Sequence, residues 1–198
     1  MPGLDAIGKF MMVLGEHFGG VLVTDFYAAY NHYPGLHQRC WVHLLRDIHE
    51  LKRQHPKDEG VLRWARNIHR LYRVAKQFRH PEPKERRRMR ERLERALLGV
   101  VAPFAQDQGA PQRVLSQRIV QFLAELFVFV EHPEAPSDNN AAERSLRHLV
   151  TERKISGGTR SPEGTATKMT LSTLFGTWRV RDLNPFDACR QLLISPHS

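Results

Sequence analysis

At 198 residues, 41% of them hydrophobic and 9% aromatic, the chain holds enough apolar material for one core, or one core plus an insertion, and disorder throughout is excluded. It carries 30 Lys and Arg against 21 Asp and Glu, a formal charge of +9 whose reason composition alone leaves open. No apolar run approaches the ~20 residues of a membrane span, no basic segment leads into a secretory-type apolar stretch, and the two cysteines, Cys40 and Cys189, make no disulfide framework, so a reduced, cytoplasmic setting is expected.

In chain order, Asp5 to Phe18 reads as a helix with Ile7, Phe10, Met11, Leu14 and Phe18 on one side and Gly19-Gly20 as its stop. Val21 to Thr24 is a short buried-type strand ending at Asp25. An aromatic stretch (Phe26, Tyr27, Tyr30, Tyr33) and the Pro34-Gly35 turn lead to a helix expected from about Gln38 to Gln54. Trp64, Ile68, Leu71, Tyr72, Ala75 and Phe78 then recur at helical spacing, while Arg63, Arg66, Arg70 and Arg73 line another face. After Pro81-Glu82-Pro83 a further helix is expected around Arg86 to Val101, and Gln112 to Val130 reads as one long apolar helix. Pro133 and Pro136 break the pattern, and Ser137-Asp138 offers caps for a helix reaching about Lys154. A loop over Ser156 to Gly164 and helices around 163–179 and 185–194 close the chain. One strand among about eight helices is the expected content.

The charge is unevenly placed. Residues 1–45 hold 2 basic and 3 acidic groups, 46–95 hold 17 and 8, and 96–198 hold 11 and 10, so the second quarter carries the whole imbalance. Two readings stand for it: a solvated surface laced with Glu and Arg pairs, or a row of cations turned to phosphates.

Three groups of residues could carry chemistry. Asp25 follows an apolar strand, where α/β folds place functional side chains, although an Asp there also serves as a plain turn residue. Glu143, Arg147, Val150 and Lys154 fall at i, i+4, i+7 and i+11, so they share a helix face at about 100° per residue. Such a row fits a simple Glu-Arg pair and equally a carboxylate for Mg²⁺ flanked by cations for phosphate. His37, Cys40 and His43 sit at three-residue intervals, but a structural zinc site needs a fourth ligand. A buried Cys40 and Trp41, with His43 and Arg46 lining a polar cleft, is the better reading.

Taken together, Asp25-Phe26-Tyr27-Ala28-Ala29-Tyr30, then Cys40-Trp41-Val42-His43-Leu44-Leu45-Arg46, then Asp138 to Arg147 with Arg153-Lys154, resemble the DDE transposases of the bacterial insertion sequence 66 family. Gly164 to Leu193, with Gly176-Thr177 and Asn184-Pro185-Phe186, is similar to that family's carboxyl end. The resemblance implies a mainly α chain, the remnant of a ribonuclease H-like α/β catalytic domain with a large α-helical insertion. Residues 1–54 would be a partial core carrying Asp25 as the second acid, 55–132 the basic insertion, and 133–198 the closing helices carrying Glu143 as the third acid. Asp25 and Glu143 would hold two Mg²⁺ ions that clamp the attacking and leaving oxygens of an in-line displacement. Arg46, Arg63, Arg66, Arg70, Arg73, Arg144, Arg147 and Lys154 would face DNA, positioning its backbone without reading bases.

The departure from the family pattern is the first acid. Only 24 residues precede Asp25, too few for the three strands and helix that carry it, and Asp5 is better placed as a helix cap. The expectation is therefore a truncated or split transposase, DNA-binding but inactive alone, with an upstream-encoded fragment or an intact transposase as partner. The rival is a non-enzymatic DNA-binding regulator or a relic of transposition. Its strand at 21–24 is expected to lack neighbours.

Overall fold

The computed structural model describes residues 18–194, apart from the side chains of 148, 149, 152, 153 and 156. The helix expected over Asp5 to Phe18 thus lies, but for Phe18, outside the described residues. The chain divides into two compact units that meet in sequence at Asn139 and Asn140.

The first unit opens with β1 (Leu22–Thr24), a single-turn 3-10 helix (Ala28–His32) and β2 (His37–Arg39). The strands pair in parallel, Leu22 with His37, Val23 with Gln38 and Thr24 with Arg39. The expectation of an unpartnered strand is corrected here, as is the helix start at Gln38. The connection is long enough for a parallel crossover. His37, Gln38 and Arg39 are all buried, and each spends its polar atoms on partners that only a strand at this place can reach.

Helix α1 (Trp41–Gln54) follows at once, then α2 (Glu59–Gln77) and α3 (Pro83–Ala105). The Asp58 carboxylate caps α2 by accepting the Val61 N–H at 3.0 Å, and Glu59 in the first turn suits the positive end of the helix dipole. Pro83 starts α3, where its missing N–H costs nothing. The stretch expected to form one helix to Val130 is three: α4 (Arg113–Gln121), α5 (Leu123–Leu126) and α6 (Val128–Glu131), interrupted at Phe122 and Phe127. At Phe127 the break is spanned by a buried clamp from β2. The Gln38 amide nitrogen donates to the Leu126 carbonyl at 3.0 Å, and its oxygen accepts the Phe129 N–H at 2.9 Å.

α3 packs on α2, α4 and α6. Trp41, Leu44 and Ile48 from α1, Val61, Trp64 and Ile68 from α2, Leu97 and Val101 from α3, and Ile119, Leu126 and Phe127 form one continuous core. Each such side chain contributes about 1.5–3 kcal/mol by leaving water. Trp41 stacks on Tyr72 at 4.7 Å, and Tyr72 bonds through its hydroxyl to Ser137 Oγ at 3.0 Å. Ser137 also accepts the Trp41 N–H on its carbonyl, so it ties the segment before the second unit to α1 instead of capping the next helix.

The second unit holds α7 (Asn140–Ser156), α8 (Pro162–Val180) and α9 (Pro185–Ile194). Gly157, at φ 67°, ends α7 as glycine does after a helix. Ser161 caps α8 by accepting the Gly164 N–H at 3.0 Å. The described fold is mainly helical, and no described helix is long and apolar enough to cross a membrane.

Candidate nucleic-acid interface

The basic face of α2 is built by periodicity. Val61, Trp64, Ala65, Ile68 and Ala75 are buried on one side, which leaves Arg63, Arg66, Arg70 and Arg73 exposed on the other. At about 100° per residue these four span an arc of roughly 80°. None of them makes an ion pair with a carboxylate among the described residues. Their guanidinium groups are therefore open to solvent.

The basic run on α3 behaves differently. Arg88 pairs with Glu85 at 2.6 Å, and Arg90 with Glu94 and Glu131, each at 2.8 Å. Arg87 reaches Glu131 at 3.6 Å. The two readings of the charge thus divide between the helices: internal pairing describes these α3 arginines, and an open cationic row describes α2. Burial first, then the charges of Lys52, Arg73 and His49, hold the His69 ring below the usual imidazole range. His69 consequently adds little repulsion to the cations that α1 and α2 present together.

Asp25 stands directly after β1. Its Oδ1 accepts the Tyr27 N–H at 2.9 Å, the turn arrangement that short acidic side chains favour. Its backbone carbonyl is held by buried Arg39, whose Nη1 donates to it at 2.9 Å. Arg39 spends its other donors on Glu125 Oε2 and Asn31 Oδ1, both at 2.6 Å, and lies 4.4 Å from the Phe122 ring centre. This network fixes the strand end that carries Asp25. Cys40 and Trp41 are fully buried, as expected, with Cys40 Sγ accepting the Asn139 N–H at 3.4 Å. His43 is half-buried and Arg46 exposed on α1. His37 is engaged elsewhere: its Nε2 meets Thr24 Oγ1 at 2.6 Å and its Nδ1 meets Glu125 at 3.2 Å.

On α7, Glu143 lies in the first turn and is exposed, as are Arg144, Arg147 and Lys154. The helix is continuous over Asn140–Ser156, so Glu143, Arg147, Val150 and Lys154 do share a face. Asp25 belongs to the first unit and Glu143 to the second. Among the described residues no three or more His, Cys, Asp or Glu side chains gather as metal ligands.

Sequence reasoning missed Arg39, Gln38 and Glu125. One signal was available for Arg39: only one other basic residue, Lys9, occurs in the first 45 positions, so a lone arginine there invites a specific task. It also missed Lys76, Arg79 and Arg86, which the turn between α2 and α3 brings to one cavity.

A model of the family described as Transposase IS66 family matches residues 7–167. An uncharacterized protein, y4jO, from Sinorhizobium fredii is 32% identical over 160 residues, which cover 79% of this chain and 47% of that protein. The chain therefore spans about half the length of the curated relative it matches. No solved structure matches it.

Proposed function

The chain belongs to the IS66 transposase family, and from that premise we propose that it acts in DNA transposition by holding the DNA backbone on the basic face of α2, with Arg46, Arg144, Arg147 and Lys154 as further phosphate contacts. The observation that carries this reading is the exposed row Arg63, Arg66, Arg70 and Arg73 without carboxylate partners among the described residues. Four like charges on one helix face repel one another, and a polyanion relieves that repulsion while releasing its condensed counterions. The ligand is DNA because the family transposes DNA; the contacts are to phosphate and sugar, so they position without specifying sequence.

Within the same reading, β1 with Asp25 at its end is the remnant of a ribonuclease H-like sheet, and Asp25 and Glu143 are two acids of a DDE centre. Mg²⁺, when bound, would polarise the scissile phosphodiester and lower the pKa of the attacking water or hydroxyl. Asp25 and Glu143 would each offer it carboxylate oxygens, but a full ligand set needs donors beyond these two. Residues 1–198 alone are accordingly expected to bind DNA without cutting it, the remaining donors being supplied from outside them. Arg39 is a positioning residue in this scheme, since it holds the Asp25 carbonyl from a fully buried place.

The test is DNA affinity as a function of salt. The proposal expects a linear fall of log K with log salt, a shallower slope when the four α2 arginines become Gln, and an unchanged slope for Asp25→Asn with Glu143→Gln. An unaltered slope in the arginine variant overturns the interface. Site-specific cleavage of DNA carrying the element's ends, by this chain with Mg²⁺ or Mn²⁺, overturns the expectation of incompetence.

A further inference from the structure

At the turn from α2 to α3 the first unit holds a cavity of about 430 Å³, within the ~300–1,000 Å³ range of small-molecule sites. Three cations border it, Lys76, Arg79 and Arg86, against one carboxylate, Asp138. The two arginines are fixed in place by backbone carbonyls and make no ion pair among the described residues, although the charge of Arg86 is felt by the nearby Glu134 carboxylate. Arg86 donates through Nε to the Glu131 carbonyl at 3.0 Å and through Nη1 to the carbonyls of His80 and Pro81, at 3.2 and 2.7 Å. Arg79 Nη1 donates to the carbonyls of Lys76 and Phe78, at 2.8 and 2.6 Å. Carbonyl oxygens hold a guanidinium in position and leave its full charge and its remaining N–H groups for a ligand. Lys76 lies 5.7 Å from the centre of the Tyr72 ring, with no carboxylate partner among the described residues. Glu134 directs its Oε1 to His132 at 3.1 Å.

The rest of the wall is largely apolar. Phe78 stacks on His80 with rings 9° from parallel, and Phe129, Val130, Pro133 and Pro136 add apolar surface beside the polar Ser137. Anchored cations beside planar apolar surface match a group that is anionic at one end and planar at the other. A bare phosphate would leave the apolar wall wet, and a neutral base would leave the cations without an anion.

We propose that this cavity takes one unstacked nucleotide of a DNA strand, its phosphate on Lys76, Arg79 and Arg86 and its base against Phe78, Phe129 and the prolines. The choice of DNA as the source rests on the reading of the α2 face, while the nucleotide chemistry rests on the cavity.

The experiment titrates the full chain with thymidine monophosphate, thymidine and inorganic phosphate by calorimetry, both as it stands and with Arg63, Arg66, Arg70 and Arg73 changed to Gln. The second background removes the α2 row, so failure of that interface and failure of the cavity read out separately. Saturable binding of the nucleotide in both backgrounds is expected, tighter than either thymidine or phosphate and weakened about tenfold by Lys76→Gln with Arg79→Gln. Lys76→Gln alone, whose side chain lies over the Tyr72 ring and makes no ion pair among the described residues, is expected to weaken it about threefold and covers the case in which the double variant loses its fold. A single-stranded thymidylate oligomer is expected to compete with the free nucleotide. The proposal is overturned by no nucleotide binding at millimolar concentration, by folded cavity variants that bind as the parent does, or by an oligomer that fails to compete.

Discussion

Gln38 and Phe129 are joined by a buried hydrogen bond of 2.9 Å, from the Phe129 N–H to the Gln38 side-chain oxygen, across 91 positions of chain. That bond, with the Gln38 donation to Leu126, satisfies backbone groups that the interruption between α5 and α6 frees from helical pairing. Trp41 Nε1 also donates to the Leu126 carbonyl, so that carbonyl keeps a partner when Gln38 is lost. Gln38→Leu therefore strands the Phe129 N–H and removes the 2.7 Å donor to the Arg39 carbonyl, and its expected cost is about 1–3 kcal/mol in urea unfolding. A variant as stable as the parent would mean that α5 and α6 rejoin without the clamp.

The two basic helices should separate under mutation. Changing Arg63, Arg66, Arg70 and Arg73 to Gln removes side chains that are exposed and make no ion pair with described carboxylates, so each is expected within about 0.5 kcal/mol of the parent in stability. The same change is expected to lower the salt slope of DNA binding by about 0.9 for each phosphate that the variant no longer neutralises. Arg90→Gln does the reverse. It breaks bonds to Glu94, to Glu131 and to the Ala124 carbonyl at 2.7 Å, and is expected to cost about 1–3 kcal/mol with little change of slope. Unfolding curves and filter binding on the same preparations check both halves.

These two cases also mark what was legible in the residues. The faces of α2 could be read directly, because helical period alone sorts Trp64 and Ile68 from Arg66 and Arg70. The row Glu143, Arg147 and Lys154 on α7 was legible for the same reason. The strand His37–Arg39 was not, since three polar residues buried by partners far along the chain carry no strand pattern of their own. The interruptions at Phe122 and Phe127 were invisible too: no glycine or proline marks them, and the clamp lies 88 positions away. Pairing of Arg90 with Glu131 across 41 positions likewise left the α3 and α2 charges looking alike.

His37 gives a pH dependence with a definite sign. Burial first, then the charge of Arg39, push its pKa down from the ordinary 6.5 to about 4. Glu125 stands 3.2 Å from Nδ1, but Arg39 already holds that carboxylate, so its pull on a second proton is weakened. The ring sits between Thr24 Oγ1, 2.6 Å from Nε2, and Glu125 Oε2, 3.2 Å from Nδ1, while the Thr24 hydroxyl donates to the Asp25 carbonyl at 2.9 Å. Between pH 6.5 and 4 the unfolded chain binds the proton and the folded chain does not, so this contribution is full above pH 6.5 and is lost as pH falls toward 4. The loss is no more than about 3 kcal/mol and smaller where solvent reaches the ring. Urea midpoints at about pH 7.5, 6 and 4.5 should fall in that order, with a flatter dependence in His37→Gln; equal slopes for the two chains would assign the effect elsewhere.

The close of α8 offers the last prediction. The Leu183 N–H donates to the Trp178 carbonyl at 2.8 Å and the Asp182 N–H to the Arg179 carbonyl at 3.2 Å, the paired bonds of a Schellman ending. This ending requires a left-handed residue, and Asp182 occupies it at φ 53°. Glycine adopts that conformation without the Cβ clash that L-residues meet, at the expense of a more flexible unfolded chain. The clash is the larger effect, so Asp182→Gly is expected to stabilise the α8–α9 hairpin by about 0.5–1 kcal/mol. Slower amide exchange at Leu183, whose N–H closes the motif, is the local readout. A faster exchange there would mean that the Asp182 side chain contributes more to this turn than its backbone strain removes.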